Sequence, residues 1–203
     1  MKNDGLLIVF SGPSGTGKDT ILKRLLETEP NIRLSVSATT REPRQGETDG
    51  VDYHFISRDQ FRTMLSQDQL LESAEYCGNY YGTPSQPIVD WQSEGHDVIL
   101  EIEVQGGAQI KEKCPESVGI FILPPSIEVL EQRLKGRGTE ADDVIEKRLA
   151  CAKEELTQAV NYDYCVVNDN IDLAVSEIHQ IIFAEKHKVY RNTDFIEGML
   201  HNA

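Results

Sequence analysis

Leu6-Leu7-Ile8-Val9-Phe10-Ser11-Gly12-Pro13-Ser14-Gly15-Thr16-Gly17-Lys18-Asp19-Thr20-Ile21-Leu22 brings three local signals together. Leu6 to Phe10 is apolar, β-branched and aromatic, and glycines bound it, which predicts a buried strand. Ile21, Leu22, Leu25 and Leu26 recur with helical spacing until Pro30 closes the segment, which predicts a helix. Between them Gly12 to Lys18 fits G-x-x-x-x-G-K, a pattern that means phosphate binding only in this strand–loop–helix setting. The glycines let the backbone curl so that its N–H groups point inward. The helix adds its positive end, and Lys18 brings a mobile charge for the β- and γ-phosphates. Gly12, Pro13, Ser14, Gly15, Thr16, Gly17, Lys18, Asp19 and Thr20 are therefore candidate contacts to the phosphates of a nucleotide.

The residue after Lys18 is usually Ser or Thr, whose hydroxyl holds Mg²⁺; here it is Asp19, followed by Thr20. An acid in the first turn of a helix is favourable by itself. Beside a triphosphate it is repulsive unless a divalent cation lies between. Two readings stand: Asp19 contacts Mg²⁺ directly or through water, or it is a solvated acid at a helix start.

Outward from this stretch, short apolar runs alternate with amphipathic segments. Val98–Ile102, Val118–Leu123 and Tyr164–Val167 read as further buried strands. Helices are predicted from Gly106 to just before Pro115, after the N-cap Ser126, from Asp142 to about Val160, and from Leu173 to about Tyr190. Strands buried on both faces and alternating with helices predict an α/β fold with a parallel central sheet. Two regions depart from this pattern. Arg33 to Thr83 has short strands of alternating polarity and one helix opened by the capping-box pair Ser57 and Gln60, which predicts an inserted mixed α/β lobe. Gly136 to Asp143 is glycine-rich and charged, which predicts a mobile flap. The expected organisation is a single domain over 1–203, with a core near 1–32, 96–135 and 150–203, a lobe near 33–95 and a lid near 136–149.

A net charge of −14 repels nucleic acid and anionic membranes, so neither is expected as a partner, and any anionic ligand needs a local basic cluster. Cys77, Cys114, Cys151 and Cys165 include no C-x-x-C pair and no histidine at ligand spacing, which points to free thiols in a reducing compartment. No apolar run reaches the length of a membrane span, and the N-terminal run is too short for a signal peptide, so a cytoplasmic location is expected. The sequence leaves monomer or homo-oligomer open.

One basic cluster lies in Ser35-Val36-Ser37-Ala38-Thr39-Thr40-Arg41-Glu42-Pro43-Arg44-Gln45-Gly46-Glu47. The planar forks of Arg41 and Arg44 can neutralise a monophosphate dianion, with Tyr53, Tyr80 and Tyr81 as hydroxyl donors nearby in sequence. The pattern is equally that of a solvated loop with surface arginines. A second cluster places Arg133, Lys135, Arg137, Lys147 and Arg148, five of 20 basic residues, around the flap. Helix-face ion pairing accounts for Lys135 and Lys147. The five histidines lack ligand-spaced partners and suit structural or surface roles.

The run from Ser35 to Tyr53 resembles the GMP-binding signature of the guanylate kinase family. The likeness continues, in order, through the phosphate loop, Gly78–Thr83, Leu100–Gly106, Arg133–Gly138 and Val167–Asp169. It implies a P-loop kinase fold of three layers, with a GMP-binding lobe and a small lid, and transfer of the γ-phosphoryl group of ATP to GMP or dGMP with Mg²⁺. It further implies that Arg41, Arg44, Tyr53 and Tyr81 hold the GMP phosphate with Glu47 bracing the arginines. Ser37, Glu72, Thr83 and Glu101 would read guanine, and Glu103 would lie near the acceptor or metal. A carboxylate such as Glu72 can accept from both N1–H and the 2-amino group, a donor pair that adenine lacks. Arg133, Arg137 and Arg148 would clamp the travelling phosphoryl group alongside Lys18 and Arg41, and Asn168 would touch the adenine edge. Many relatives carry aspartate at one or both of the positions of Glu101 and Glu103. Rival readings are a non-catalytic protein-interaction module of the same fold, which would lack the loop lysine or the acceptor arginines, and a kinase for a different acceptor.

Overall fold

The structure, a computed structural model, describes residues 5–76, 78–136 and 142–201. Arg137 and Cys77 lie outside the described residues, as does most of the expected flap.

Strand β1 (Leu7–Ser11) is the centre of a five-stranded sheet. It is flanked by β7 (Asp97–Glu101) and β8 (Val118–Leu123), with β2 (Ile32–Leu34) and β9 (Tyr164–Val167) outside them. All four pairings are parallel. Side chains alternate along a strand, so β1 feeds two cores. Ile8 and Phe10 pack with Ile21, Leu22 and Leu25 of α1 (Lys18–Thr28) and Ile178 of α7 (Ile171–Lys186). Leu7 and Val9 pack on the opposite face with Ile88 of α3 (Ser85–Ser93) and Ile110 of α4 (Val104–Lys113). This double burial is why Leu6–Phe10 is apolar throughout rather than alternating. From β1 the chain crosses to β2 on one side, while β7 leads through α4 to β8 on the other. That topology opens a crevice at the carboxyl ends of β1, β7 and β8.

A second sheet, ordered β4-β3-β6-β5, forms the inserted lobe. Its strands are β3 (Ala38–Thr39), β4 (His54–Phe55), β5 (Leu70–Tyr76) and β6 (Asn79–Pro84), with α2 (Arg58–Ser66) against them. The capping box at Ser57 and Gln60 is present. The lobe sheet is narrower than the expected 33–95: residues 33 and 34 extend the central sheet, and α3 belongs to the core around Ile88. Contacts from α4 to β5 fix lobe to core, among them Lys113 Nζ donating to Leu71 O at 2.7 Å. Gln109 of α4 donates to Ser73 O at 2.9 Å and accepts from Ser73 N at 3.2 Å. Gly106 admits the lobe's Glu72 so closely that a Cβ there would stand 2.6 Å from Oε2.

Beyond β8, Ser126 caps α5 (Ile127–Lys135) through its side chain, accepting from Val129 N. The next helix, α6 (Asp142–Leu156), packs Ile145 and Ala152 on Leu130 and Leu134 of α5. It ends earlier than the sequence suggests and gives way to a 3₁₀ turn at Thr157–Asn161. Likewise α7 stops at Lys186, and α8 (Thr193–His201) follows, a helix with no counterpart in the sequence reading.

Candidate active site

The loop after β1 ends in a left-handed residue, Gly17 at φ 86° and ψ 26°, from which α1 starts with no side-chain cap. A Cβ on Gly17 would meet Asn168 Nδ2 at 2.5 Å, so φ and space both demand glycine. Thr16 Oγ1 donates to Pro13 O at 2.8 Å, and Asn168 Nδ2 donates to Thr16 O at 2.7 Å. Asn168 is thus buried beneath the loop as part of its support. Lys18 Nζ folds back over the loop, donating to Gly12 O at 2.6 Å and Pro13 O at 3.4 Å.

Two arginines of the lid helices close over the same loop. The fork of Arg133 on α5 reaches Asn168 O at 2.9 Å and Thr16 O at 3.4 Å, tying loop to β9. From α6, Arg148 donates to Ser14 Oγ at 2.7 Å. Helix periodicity puts Ile145, Arg148, Ala152 and Glu155 on one face of α6, where Ile145 and Ala152 pack on α5 and Arg148 reaches the loop.

Carboxylates line the other side of Lys18. Burial pushes Glu101, at the end of β7, up to about 7; Lys18 opposes that shift, and Asp19 and Glu103 add to it. Asp19 and Glu101 lie within hydrogen-bonding reach of each other, while Thr20 is exposed. Glu155 is also raised to about 7, by burial first and then by Glu103, with Lys18 again opposing. The sequence reading did not find Glu155. The available signal was its position two helical turns after Arg148, but only the path of α6 over the loop makes that spacing meaningful. Hard oxygen donors facing a phosphate loop suit Mg²⁺. Among the described residues no three His, Cys, Asp or Glu could cage a metal ion on their own.

Across the crevice, Arg41 is held in a fork by Glu47, with Nη1 to Oε2 at 2.9 Å and Nη2 to Oε1 at 2.8 Å. Glu47 also accepts from Arg44 N at 2.7 Å. Hydrogen bonding to Arg41 holds the Glu47 carboxyl below its ordinary range, and the same bond raises Arg41. The guanidinium lies over the rings of Tyr53 and Phe55, 5.4 and 5.7 Å from their centroids. Tyr53 meets Tyr81 edge-on at 6.0 Å, and the Arg44 side chain is exposed beside them. Tyr80 points the other way along β6, stacked on Phe61, so it does not join this cluster. Burial raises the Tyr53 phenol, and Tyr81, Glu101 and Glu103 raise it further. The arginine cluster and the strand-end carboxylates therefore share one crevice. Deeper in the lobe, Thr83 Oγ1 donates to Glu72 Oε1 at 2.7 Å, and both residues are buried. Burial raises the Glu72 carboxyl, with Thr83 and Lys113 drawing it partly back. Ser37 is half-buried next to β3, its carbonyl accepting from His54 N.

A phosphate loop heading a parallel sheet, overlaid by lid arginines and faced by a lobe with a braced arginine, defines a P-loop nucleotide kinase. The guanylate kinase family profile matches residues 5–185. The guanylate kinase of Desulfitobacterium hafniense (strain Y51) is 53% identical over 198 residues, covering 98% of this chain and 99% of its own. That of Clostridioides difficile (strain 630) is 52% identical over 192 residues, covering 95% and 94%. The crystal structure of guanylate kinase from Anaplasma phagocytophilum superposes with a TM-score of 0.78 at 36% identity, over 94% of this chain and 91% of that one. The chain belongs to the guanylate kinase family. Among the described residues no helix is long and apolar enough to cross a membrane.

Proposed function

We propose that this protein transfers the γ-phosphoryl group of ATP to GMP, and to dGMP, in the cytoplasm, giving ADP and GDP or dGDP by direct in-line attack. In this reading the loop Gly12–Thr20 takes the ATP phosphates and Lys18 leaves its two carbonyl partners to reach the β- and γ-oxygens. Arg41, Arg44, Tyr53 and Tyr81 take the GMP phosphate. Glu72, Thr83, Ser37 and Glu101 read guanine, and Glu103 borders the acceptor. Asn168 supports the loop from below while its backbone carbonyl orients Arg133. Arg133 and Arg148 roof the crevice, and Arg137, outside the described residues, joins them on the travelling phosphoryl group by family resemblance.

The acceptor is already an anionic oxygen, so the work is orientation and charge neutralisation rather than general-base catalysis. Lys18 and the arginines carry positive charge towards the equatorial oxygens of the moving group, where negative charge gathers. Mg²⁺, when bound beside Asp19, would supply further neutralisation of the β- and γ-phosphates. Closure of α5 and α6 over the loop keeps water from competing with GMP.

The observation that carries this reading is that Tyr53, inside the Arg41 cluster, lies within electrostatic reach of the same carboxylates that face Lys18. Donor and acceptor pockets then open on one crevice. The non-catalytic module loses ground because Lys18 and Arg41 are both present, the one over the phosphate loop and the other braced for an anion. Single-turnover transfer from ATP whose γ-phosphoryl group is made chiral with sulfur and oxygen isotopes tests the proposal. Label should pass to the β-phosphate of GDP with inversion, without a labelled protein intermediate; retention, or a phosphoprotein, would refute direct transfer.

A further inference from the structure

The strand that carries Glu72 is not evenly paired. Leu70 lies opposite Pro84 and Ser73 opposite Gly82, so Leu71 and Glu72 together face the single residue Thr83. This is a β-bulge, which bends a strand and re-aims a side chain while leaving the extra residue out of the ladder. The re-aimed side chain is the carboxylate of Glu72, which is 4% exposed and takes the Thr83 hydroxyl on Oε1 at 2.7 Å. A bulge alone sets that aim loosely, because the ladder that would fix it is interrupted there.

Helix α4 grips the chain at that interruption. Lys113 Nζ holds the peptide before Glu72, donating to Leu71 O at 2.7 Å. Gln109 holds the residue after it in the way a neighbouring strand would, with Nε2 donating to Ser73 O at 2.9 Å and Oε1 accepting from Ser73 N at 3.2 Å. Between these two grips the carboxylate lies against Gly106, where a Cβ would stand 2.6 Å from Oε2 and 3.1 Å from Cδ. The backbone at Gly106 is not left-handed, so space alone excludes a side chain there. Helical spacing puts 106, 109 and 113 on one face, and that face meets three consecutive residues of β5. The helix itself starts at Val104, directly after β7 ends at Glu101 and the chain passes Ile102 and Glu103, so the grip is rooted in the central sheet.

We propose that Gln109 and Gly106 are positioning residues for guanine, acting through Glu72 by setting where its carboxylate stands. The inference rests on the reading of Glu72 as the acceptor for guanine N1–H and the 2-amino group. Gln109 replaces the strand partner that the bulge removes, and Gly106 is the seat on which the carboxylate rests. A carboxylate that must meet two adjacent donors at once tolerates little error, and a shift of about 1 Å loses at least one of them. Held on a helix of the core, the acceptor is set more finely than a bulged strand would set it alone.

Gln109→Met keeps the length and helix preference of the side chain while removing both bonds to Ser73. In initial rates it should raise KM for GMP about fivefold and leave KM for ATP unchanged. Gly106→Ala, whose methyl drives the carboxylate off its seat, should raise KM for GMP roughly tenfold. In titration calorimetry both variants should lose more affinity for GMP than for IMP, which lacks the 2-amino group. Because Gln109 acts through Glu72, adding Gln109→Met to Glu72→Gln should change KM for GMP by less than about twofold. A merely structural weakening would lower kcat for every acceptor alike and would leave these ratios in place. An unchanged KM for GMP in Gln109→Met, equal losses for GMP and IMP, or effects that multiply in the Glu72→Gln background would each overturn the positioning role and leave Glu72 as the guanine acceptor. A Glu72→Gln protein with the wild-type KM for GMP would overturn that reading of Glu72, and the positioning role with it.

Discussion

Replacing Glu72 with glutamine should make the ligand-free protein more stable and a worse kinase at once. Glu72 is 4% exposed, and burial raises its carboxyl above the ordinary range. For an acid raised in this way, stability is fully present below the unfolded pKa and is lost as pH rises through the folded pKa. At mildly alkaline pH the ionised side chain is therefore a cost that the empty protein bears for its ligand. Glu72→Gln keeps an acceptor oxygen for Thr83 Oγ1, now at 2.7 Å from Oε1, and removes the charge. The variant should melt above wild type at mildly alkaline pH, with the gap shrinking as the buffer is made acidic. The same change takes away one of the two oxygens that would accept from guanine N1–H and the 2-amino group. A hydrogen bond to a charged group contributes about 1.5–3 kcal/mol, so kcat/KM for GMP should fall roughly 10- to 160-fold. AMP, which offers no such donor pair, should lose little, and the GMP-to-AMP preference should narrow by a similar factor. Thermal melts across pH and initial rates with the two acceptors measure both halves. A variant that melts lower at alkaline pH, or one whose kcat/KM for GMP stays within about threefold of wild type, would refute the reasoning.

Lys18→Met removes the mobile ammonium and should lower kcat by about 10² or more, while GMP binding measured by titration calorimetry stays close to wild type. Arg133→Lys cannot span Asn168 O and Thr16 O as the fork does at 2.9 and 3.4 Å, so KM for ATP should rise severalfold with KM for GMP unchanged. Burial raises both Glu101 and Glu155 from 4.5 to about 7, so the empty protein should lose stability as pH climbs through that interval. Glu155→Gln should flatten this decline in thermal melts, and an unchanged slope would remove Glu155 from the crevice.

The phosphate site was legible because its determinants are contiguous: Gly12 to Lys18 sit between an apolar strand and a helix, and local geometry does the rest. The braced arginine came from the family resemblance, because the residues alone read equally as a solvated loop, although Arg41 and Glu47 meet within one loop. Glu155 was not, because its relation to Lys18 and Glu103 comes from α6 lying over the loop, a tertiary fact that helix periodicity alone does not contain. The lobe boundary near residues 33 and 34 shifts because alternating polarity also suits an edge strand: among the described residues β2 pairs with β7 alone and is half-exposed. Helix α8 was missed although Phe195, Ile196, Met199 and Leu200 recur at helical spacing; that apolar face remains exposed. Asn168 was expected at the adenine edge, yet its burial under Thr16 depends on β9 ending beside the loop.

The most direct test of the account is ADP release from ATP and Mg²⁺ by the purified protein, with GMP, dGMP, AMP, CMP and UMP compared as acceptors. The account predicts rapid turnover with GMP, equal or slower turnover with dGMP, and little with the other three. A folded sample that binds GMP and turns over none of them, or that prefers AMP, CMP or UMP, would contradict it.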